Sequence, residues 1–568
     1  MEVARYLFAR LHDLGVRSLF GTPGDYNLVA LDFLEDAGLR WVGNSNELNA
    51  GYAADGYGRI KGIAALITVF GVGELSAINA IAGAYAERSP VVHIVGTPST
   101  SFQSSGLCLH HSLGNGDFRV FANMYTQITV AHTNLSDITT VASEIDRVLK
   151  ACVHESRPVY IELPTDMVSQ TIPTSEAMSN GTLIQSNGTL HAHWFEDSVV
   201  DIIREKITSA QRPFIIVDGL VRAYDIEGEV NAIVRSSNIP TSTTPAGKSM
   251  ISEQAPNVCR LYKGTAGDPE YSAYIKTRDL LIYFAPLWSD CNTFGFSTIH
   301  KDSTTIVFHQ DAVTIRGKEF RIQVKSLLQK LLESMSDWKC QVQVSAQCLM
   351  PDVPTPDVVQ GPESQEPIKQ SAFWRLCSQV LTSGDVVLTE CGTSSIGAYD
   401  LVLPEDVRMV TSALWLSIGF MLGAAQGSAL AIRDLVDEGI GAAGRTILFT
   451  GDGSLQMSVQ AISDIIRNRL DMIIIIINND GYTIERHIHG MYAQYNDVQP
   501  WRYLEAPNFF GANLDDPTYP ITLRKGTTWG DIIQAFEDPA VRSGKGLIMI
   551  EVVMAKEDAP ETLKNLFK

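Results

Sequence analysis

The strongest chemistry in this sequence lies at Gly451-Asp452-Gly453, followed after 24 intervening residues by Asn478-Asn479. Apolar runs at Arg445–Thr450 and Met472–Ile477 read as strands, and Leu455–Asn468 between them reads as a helix. In a parallel sheet the C-terminal ends of neighbouring strands face one crevice, so Asp452 and Asn479 converge although distant in sequence. Hard oxygen ligands of this kind suit Mg2+, which is commonly held by one or two protein oxygens together with phosphate and water. The glycines let a phosphate approach the helix N-terminus, where free amides and the helix dipole favour an anion. A lone Gly-Asp-Gly is an ordinary turn. The asparagine pair, the spacing and the two strands make this one a metal and diphosphate site.

The elements that position this motif occur twice. Val69–Leu75 (VFGVGEL) and Phe449–Leu455 (FTGDGSL) both join a strand to a helix through a Gly-x-Gly turn. From that turn to the next strand is 20 residues in one copy (Gly71 to Val91) and 21 in the other (Gly451 to Met472). Val72 stands where the other copy has Asp452, so the first copy keeps the architecture without the ligand. Duplication of one α/β unit is expected.

Two stretches without apolar periodicity, Val168–Leu190 and Met350–Pro367, read as linkers. They divide the chain into three α/β domains, each expected to carry a parallel sheet: 1–170, 191–345 and 368–568. The middle segment has strand candidates at Phe214–Val217, Leu280–Phe284 and Thr305–His309 and no motif with readable chemistry.

The chain has 568 residues with 44 Lys plus Arg against 64 Asp plus Glu, a formal charge of −20, which argues against nucleic acid as a partner. Charged residues are only 19% and hydrophobic ones 45%, which fits a large interior or a buried subunit surface. The Met472–Ile477 run is far too short to span a bilayer, and no secretory leader is evident, so a cytoplasmic protein is expected. Eight cysteines without a Cys-x-x-Cys pair read as buried thiols.

Four further motifs extend the picture: Gly21-Thr-Pro-Gly-Asp25-Tyr-Asn, Asn46-Glu47-Leu-Asn-Ala-Gly-Tyr, His110-His111-Ser-Leu-Gly-Asn-Gly-Asp-Phe and Gly481-Tyr-Thr-Ile-Glu485. Together with the Gly-Asp-Gly and Asn-Asn pair, the chain resembles the thiamine diphosphate-dependent 2-oxo acid decarboxylases, most closely those of the fungal pyruvate decarboxylase type. The resemblance runs over essentially the whole chain. It implies a pyrimidine-binding domain, a central domain and a diphosphate-binding domain in that order, in a homodimer or homotetramer with the cofactor between subunits.

Direct loss of CO2 from a 2-oxo acid leaves a carbanion with nowhere to delocalise, and the thiazolium ring of the cofactor is the electron sink that makes it feasible. By resemblance, Glu47 hydrogen-bonds the pyrimidine ring nitrogen and activates the cofactor. Asp25, His110, His111 and Glu485 form the acid and base set around the reacting carbon. Asp452, Asn479 and Gly481 hold Mg2+. Ile418 props the cofactor into its bent shape. Thr393, Leu416, Gly451, Gly453, Ser454, Thr483 and Ile484 line it.

Three departures qualify the resemblance. Leu416 stands where the family carries glycine, at a position whose carbonyl meets the cofactor's amino group. Asp218-Gly-Leu-Val221 and Arg88 replace a cysteine-containing stretch and a histidine associated with substrate activation, so no cysteine-based activation is expected. The leading expectation is decarboxylation of pyruvate or a bulkier 2-oxo acid to an aldehyde and CO2. A carboligase forming acyloins and a catalytically silent structural or regulatory paralogue are the alternatives; a flavin-containing acetolactate synthase fits the histidine pair and Glu485 less well.

Overall fold

The computed structural model describes residues 1–172, 193–335 and 364–567. Three six-stranded sheets follow one another along the chain. The first contains β1 (Ser18–Gly21), β2 (Arg40–Trp41), β3 (Ala64–Val69), β4 (Val91–Thr97), β5 (His132–Asn134) and β6 (Val159–Pro164). Its order is β2-β1-β3-β4-β6-β5, and every pairing is parallel. The last contains β13 (Val386–Thr389), β14 (Arg408–Val410), β15 (Thr446–Gly451), β16 (Met472–Asn478), β17 (Ile521–Gly526) and β18 (Leu547–Val553). Its order, β14-β13-β15-β16-β18-β17, is again wholly parallel and repeats the first when the strands are counted from the start of each sheet. The two motif-bearing units are thus copies in topology as well as in turn sequence.

The middle sheet differs from the parallel one expected. It is built from β7 (Pro213–Val217), β8 (Thr241–Thr243), β9 (Leu280–Phe284), β10 (Thr305–Phe308), β11 (Ala312–Ile315) and β12 (Lys318–Arg321). Strands β7 to β10 pair in parallel, but β10, β11 and β12 are antiparallel. Connections this short cannot make a parallel crossover, and Arg316 and Gly317, with φ of +48° and +81°, form a two-residue hairpin turn.

Most of the two expected linkers lies outside the described residues. The part of the first that is described belongs to the N-terminal unit: the amides of Ala4 and Val3 bond the carbonyls of Val168 and Gln170, and Ile172 N bonds Met1 O. The helix expected over Leu455–Asn468 starts earlier and is divided into Asp452–Ser458 and Ala461–Arg467. At the division the amides of Ile462 and Ser463 bond the carbonyls three residues back, a tightened turn that re-aims the second helix.

The N- and C-terminal units share one core. A single buried cluster runs from Phe20, Tyr57 and Leu66 to Leu388, Phe420 and Leu448. Its seam is the packing of the Glu47–Lys61 helix on the Phe420–Asp437 helix. A Cβ at Gly56 would overlap the Ala424 carbonyl, and one at Gly427 would overlap that of Ala53, so the two backbones touch. Asp434, buried on the second helix, accepts hydrogen bonds from Ser18 Oγ (2.8 Å), Tyr57 Oη (2.9 Å) and Arg40 (2.8 Å) of the N-terminal unit.

Candidate active site

The metal motif sits at the C-terminal ends of β15 and β16, whose register places Gly451 opposite Ile477. Asp452 is the first residue of its helix and is buried. The chain then turns through Asp480 (φ +59°) and Gly481 (φ +121°), where a Cβ would overlap the Asn496 carbonyl. This turn brings the Gly481 amide to 2.9 Å from Asp452 Oδ2. Arg486, also buried, fixes it by donating to the Asp480 carbonyl (2.8 Å) and to Asp497 (2.6 Å). Burial pushes the Asp452 carboxyl up to about 6, against the amides of Gly481 and Gly453.

The end of the Asn479 side chain lies 3.1 Å from Asp452 Oδ1 and 3.0 Å from the Gly481 carbonyl oxygen. With its NH2 on that side, both contacts are hydrogen bonds and its oxygen accepts from Thr483 Oγ1. With its oxygen there, three oxygens meet. Neighbouring ligands of an octahedral ion bound at 2.0–2.1 Å are about 2.9 Å apart, close to the two separations that the Asn479 side chain makes here. The donor chemistry of these residues therefore fits the dication.

The cofactor-lining candidates gather on the same rim. Gly392 (φ +114°) opens the short helix that begins at Thr393, and Ile484 packs against it. The turn through Ile418 and Gly419 rests on the Asp452–Ser458 helix: Ser458 Oγ bonds the Gly419 carbonyl (2.6 Å), and Gly419 faces the Ser454 carbonyl. Gly453 has no room for a side chain beside the Tyr482 ring. Leu416 has φ +55°, the left-handed region in which a side chain is strained. The substitution for glycine therefore alters the side chain while the glycine-type backbone is kept.

Two buried carboxylates that sequence reasoning missed hold this rim. Glu390 accepts from the amides of Cys391 (2.9 Å) and Met421 (3.0 Å), tying the Thr393 loop to the Ile418 turn. Burial raises it to about 7, opposed by those amides. Glu87, from the N-terminal unit, accepts at Oε1 from Ser412 Oγ and from the amides of Ala413, Leu414 and Trp415. Its other oxygen takes Arg59, which also bonds Asp55 and the Thr411 carbonyl. A lone glutamate at the end of a helix or strand, or an arginine within a helix, carries no sequence signal for partners this far along the chain.

The N-terminal half-site lies at the corresponding sheet edge. Asp25 and His110 meet at 2.5 Å (Oδ2 to Nε2), with His111 Nε2 3.9 Å from Asp25 Oδ1. His111 (φ +63°) is fixed by the close approach of its carbonyl to Gly71, whose φ is +68°. Glu47 begins its helix behind an Asn46 cap and is half-buried. Its Oε1 accepts from Thr22 Oγ1 (2.7 Å) and lies against Gly73. Glu47 Oε2 has no hydrogen-bond partner among the described residues. In this copy Glu74 stands where the other has Ser454, and its carboxylate bonds the Gly71 amide (2.7 Å) and Tyr160 Oη (2.7 Å). The anion position of the first copy is filled from within.

One chain thus assembles two half-sites. Asp25, His110 and His111 come together, as do Asp452, Asn479 and Gly481. No hydrogen bond or ion pair among the described residues links either Glu47 or the histidine group to the metal group, and Glu485 lies exposed on the Thr483–Ile488 helix.

Family models match all three units in order: thiamine pyrophosphate enzyme N-terminal TPP binding domain over residues 1–119, central domain over 200–335, and C-terminal TPP binding domain over 390–513. The chain belongs to the thiamine pyrophosphate enzymes. Curated relatives of this thiamine pyrophosphate enzyme include a pyruvate decarboxylase of Aspergillus fumigatus, 43% identical over 566 residues (99% of this chain, 96% of the relative). Pyruvate decarboxylase isozyme 1 of Saccharomyces cerevisiae is 40% identical over 568 residues (99% and 97%). The fold matches the solved benzoylformate decarboxylase of Polynucleobacter necessarius with a TM-score of 0.76 at 18% identity, covering 99% of this chain and 100% of that one.

Proposed function

We propose that this thiamine pyrophosphate enzyme decarboxylates pyruvate or a bulkier 2-oxo acid non-oxidatively, releasing an aldehyde and CO2. The observation that carries the reading is the Asp25, His110 and His111 group on the same sheet edge as Glu47, in a chain about 40% identical to pyruvate decarboxylases over its full length. When bound, the cofactor supplies the electron sink for the carbanion left by CO2. Asp452, Asn479 and the Gly481 carbonyl would hold Mg2+, and the Gly451 and Gly453 backbone with Ser454 would receive the diphosphate. Thr393, Leu416, Ile418, Thr483 and Ile484 shape the rest of the cradle. Thr22 orients Oε1 of Glu47 and leaves Oε2 for the pyrimidine ring, which Glu47 would hydrogen-bond. Asp25 and His110 share a proton between Oδ2 and Nε2, and with His111 and Glu485 supply and withdraw the protons that product release needs.

The absence of any hydrogen bond or ion pair between the two half-sites among the described residues supports a homodimer or homotetramer in which a second copy completes each site. No helix among the described residues is long and apolar enough to cross a membrane; a cytoplasmic enzyme is the accompanying proposal. The test is product analysis: purified protein with thiamine diphosphate and Mg2+ is given a panel of 2-oxo acids, with and without added aldehyde. CO2 and aldehyde support the reading, acyloin as the main product transfers it to carboligation, and no CO2 from any acid overturns it.

A further inference from the structure

Asp25, His110 and His111 do more than place acids and bases together. One ligand atom from each, all three within 4.8 Å of one another, converges on a common point. Two imidazole nitrogens and a carboxylate oxygen are the donor set of a three-protein-ligand transition-metal site that keeps its fourth position open. Ligands around a tetrahedral ion at 2.0–2.1 Å lie about 3.3 Å apart. His110 Nε2 lies 2.5 Å from Asp25 Oδ2 and His111 Nε2 3.9 Å from Asp25 Oδ1, so both imidazoles already reach the one carboxylate, and the 4.8 Å limit on the trio is within side-chain rotation of that value.

The surroundings favour it. Tyr26 stacks on the His110 ring at 4.9 Å, and its hydroxyl lies 3.5 Å from Nδ1, which fixes the ring with Nε2 toward Asp25. An outer partner on the second ring nitrogen is what orients metal-binding histidines. The backbone of His111 is held by its contact with Gly71. The side chains of Asp25 and His110 are about half exposed in the single chain, at 49% and 59%, and so are free to rotate about an ion.

We propose that Asp25, His110 and His111 form an inhibitory site for a borderline transition-metal dication such as Zn2+, separate from the all-oxygen Mg2+ site. Imidazole ligands select Zn2+, Co2+ or Cu2+ over Mg2+. On binding, the proton bridging Asp25 Oδ2 and His110 Nε2 leaves to solvent, the metal takes its place, and the three groups stop handling protons. The inhibition rests on the role proposed above for these residues; the binding does not.

The test uses the holoenzyme with thiamine diphosphate and excess Mg2+. Co2+ is added first and read by the strong visible absorption of a low-coordinate site; Zn2+ follows, with CO2 release measured. One Co2+ per chain, displaced by Zn2+, is expected, with turnover falling about tenfold or more and recovering when the metal is chelated and Mg2+ restored. The Co2+ band disappears in His111→Ala and in Asp25→Asn, the latter keeping side-chain size so that folding is not at issue. A band that persists in the His110→Ala, His111→Ala double variant, or no band in the unmodified holoenzyme, overturns the proposal. The absorption does not depend on turnover, so a protein that binds Co2+ here but releases no CO2 even before the transition metal is added refutes the decarboxylase reading alone.

Discussion

Oε1 of Glu87 lies 3.0 Å from the main-chain nitrogen of Trp415, and the same oxygen receives the amides of Ala413 and Leu414 at the same distance. One carboxylate of the N-terminal unit thereby fixes the bent run leading to Leu416 and Ile418 in the C-terminal unit.

Removing that carboxylate leaves Arg59 short of a partner and four donors of the 412–415 run unsatisfied. Glu87→Ala is expected to lower stability by about 3–5 kcal/mol and to weaken cofactor retention, read by thermal melting and by thiamine diphosphate titration. Burial pushes the Glu87 carboxyl up, but Arg59, Ser412 and the amides outweigh it and hold it below the ordinary glutamate range. A depressed value stabilises the fold above the ordinary range, and that contribution is lost as pH falls through the lowered value. The Glu87→Ala protein therefore loses less stability than the parent on acidification.

Asp452 behaves oppositely. Its carboxyl, raised by burial to about 6 from 3.8, favours the fold when protonated; that contribution is full below 3.8 and lost as pH rises through about 6. At pH 7 the cofactor-free protein carries a buried carboxylate that backbone amides only partly compensate. Asp452→Asn is expected to melt higher than the parent without ligand, by about 1–3 kcal/mol, and lower with Mg2+ and thiamine diphosphate. Parallel melts with and without ligand check the crossing; the same order in both conditions counts against the metal assignment.

Glu47→Gln keeps the Thr22 hydrogen bond and removes the charge. A rate loss of about 10²–10⁴ with cofactor still bound is expected, measured by CO2 release beside a binding titration. Near-normal turnover would remove Glu47 from cofactor activation.

Leu416→Gly relieves a left-handed backbone worth about 1–2 kcal/mol but adds the unfolded-chain freedom of glycine, about 0.5–1 kcal/mol. Stability is expected to stay level or rise slightly. The ratio of kcat/KM for a bulky over a small 2-oxo acid is expected to rise as the side chain leaves the rim, and an unchanged ratio would place Leu416 outside the substrate path.

The repeated Gly-x-Gly turn made both outer sheets legible in the sequence, because strand, turn and helix are local and their spacing survives duplication. That Asp452, Asn479 and Gly481 come together was legible for the same reason. The antiparallel edge of the middle sheet was not, since Thr305–His309 reads alike in either direction and its partners come from a hairpin with no marked pattern. Glu87, Arg59, Glu390 and Arg486 were invisible because their partners are mostly backbone groups brought near by tertiary packing.

The backbone contact of Gly56 with Ala424 and of Gly427 with Ala53 has a calorimetric meaning. Helices that touch through their main chains, within one continuous core, cannot part by degrees, so the outer units unfold together. Heating is expected to give one sharp endotherm for both, with van't Hoff and calorimetric enthalpies in agreement, while the middle sheet with its own core is free to melt at a different temperature.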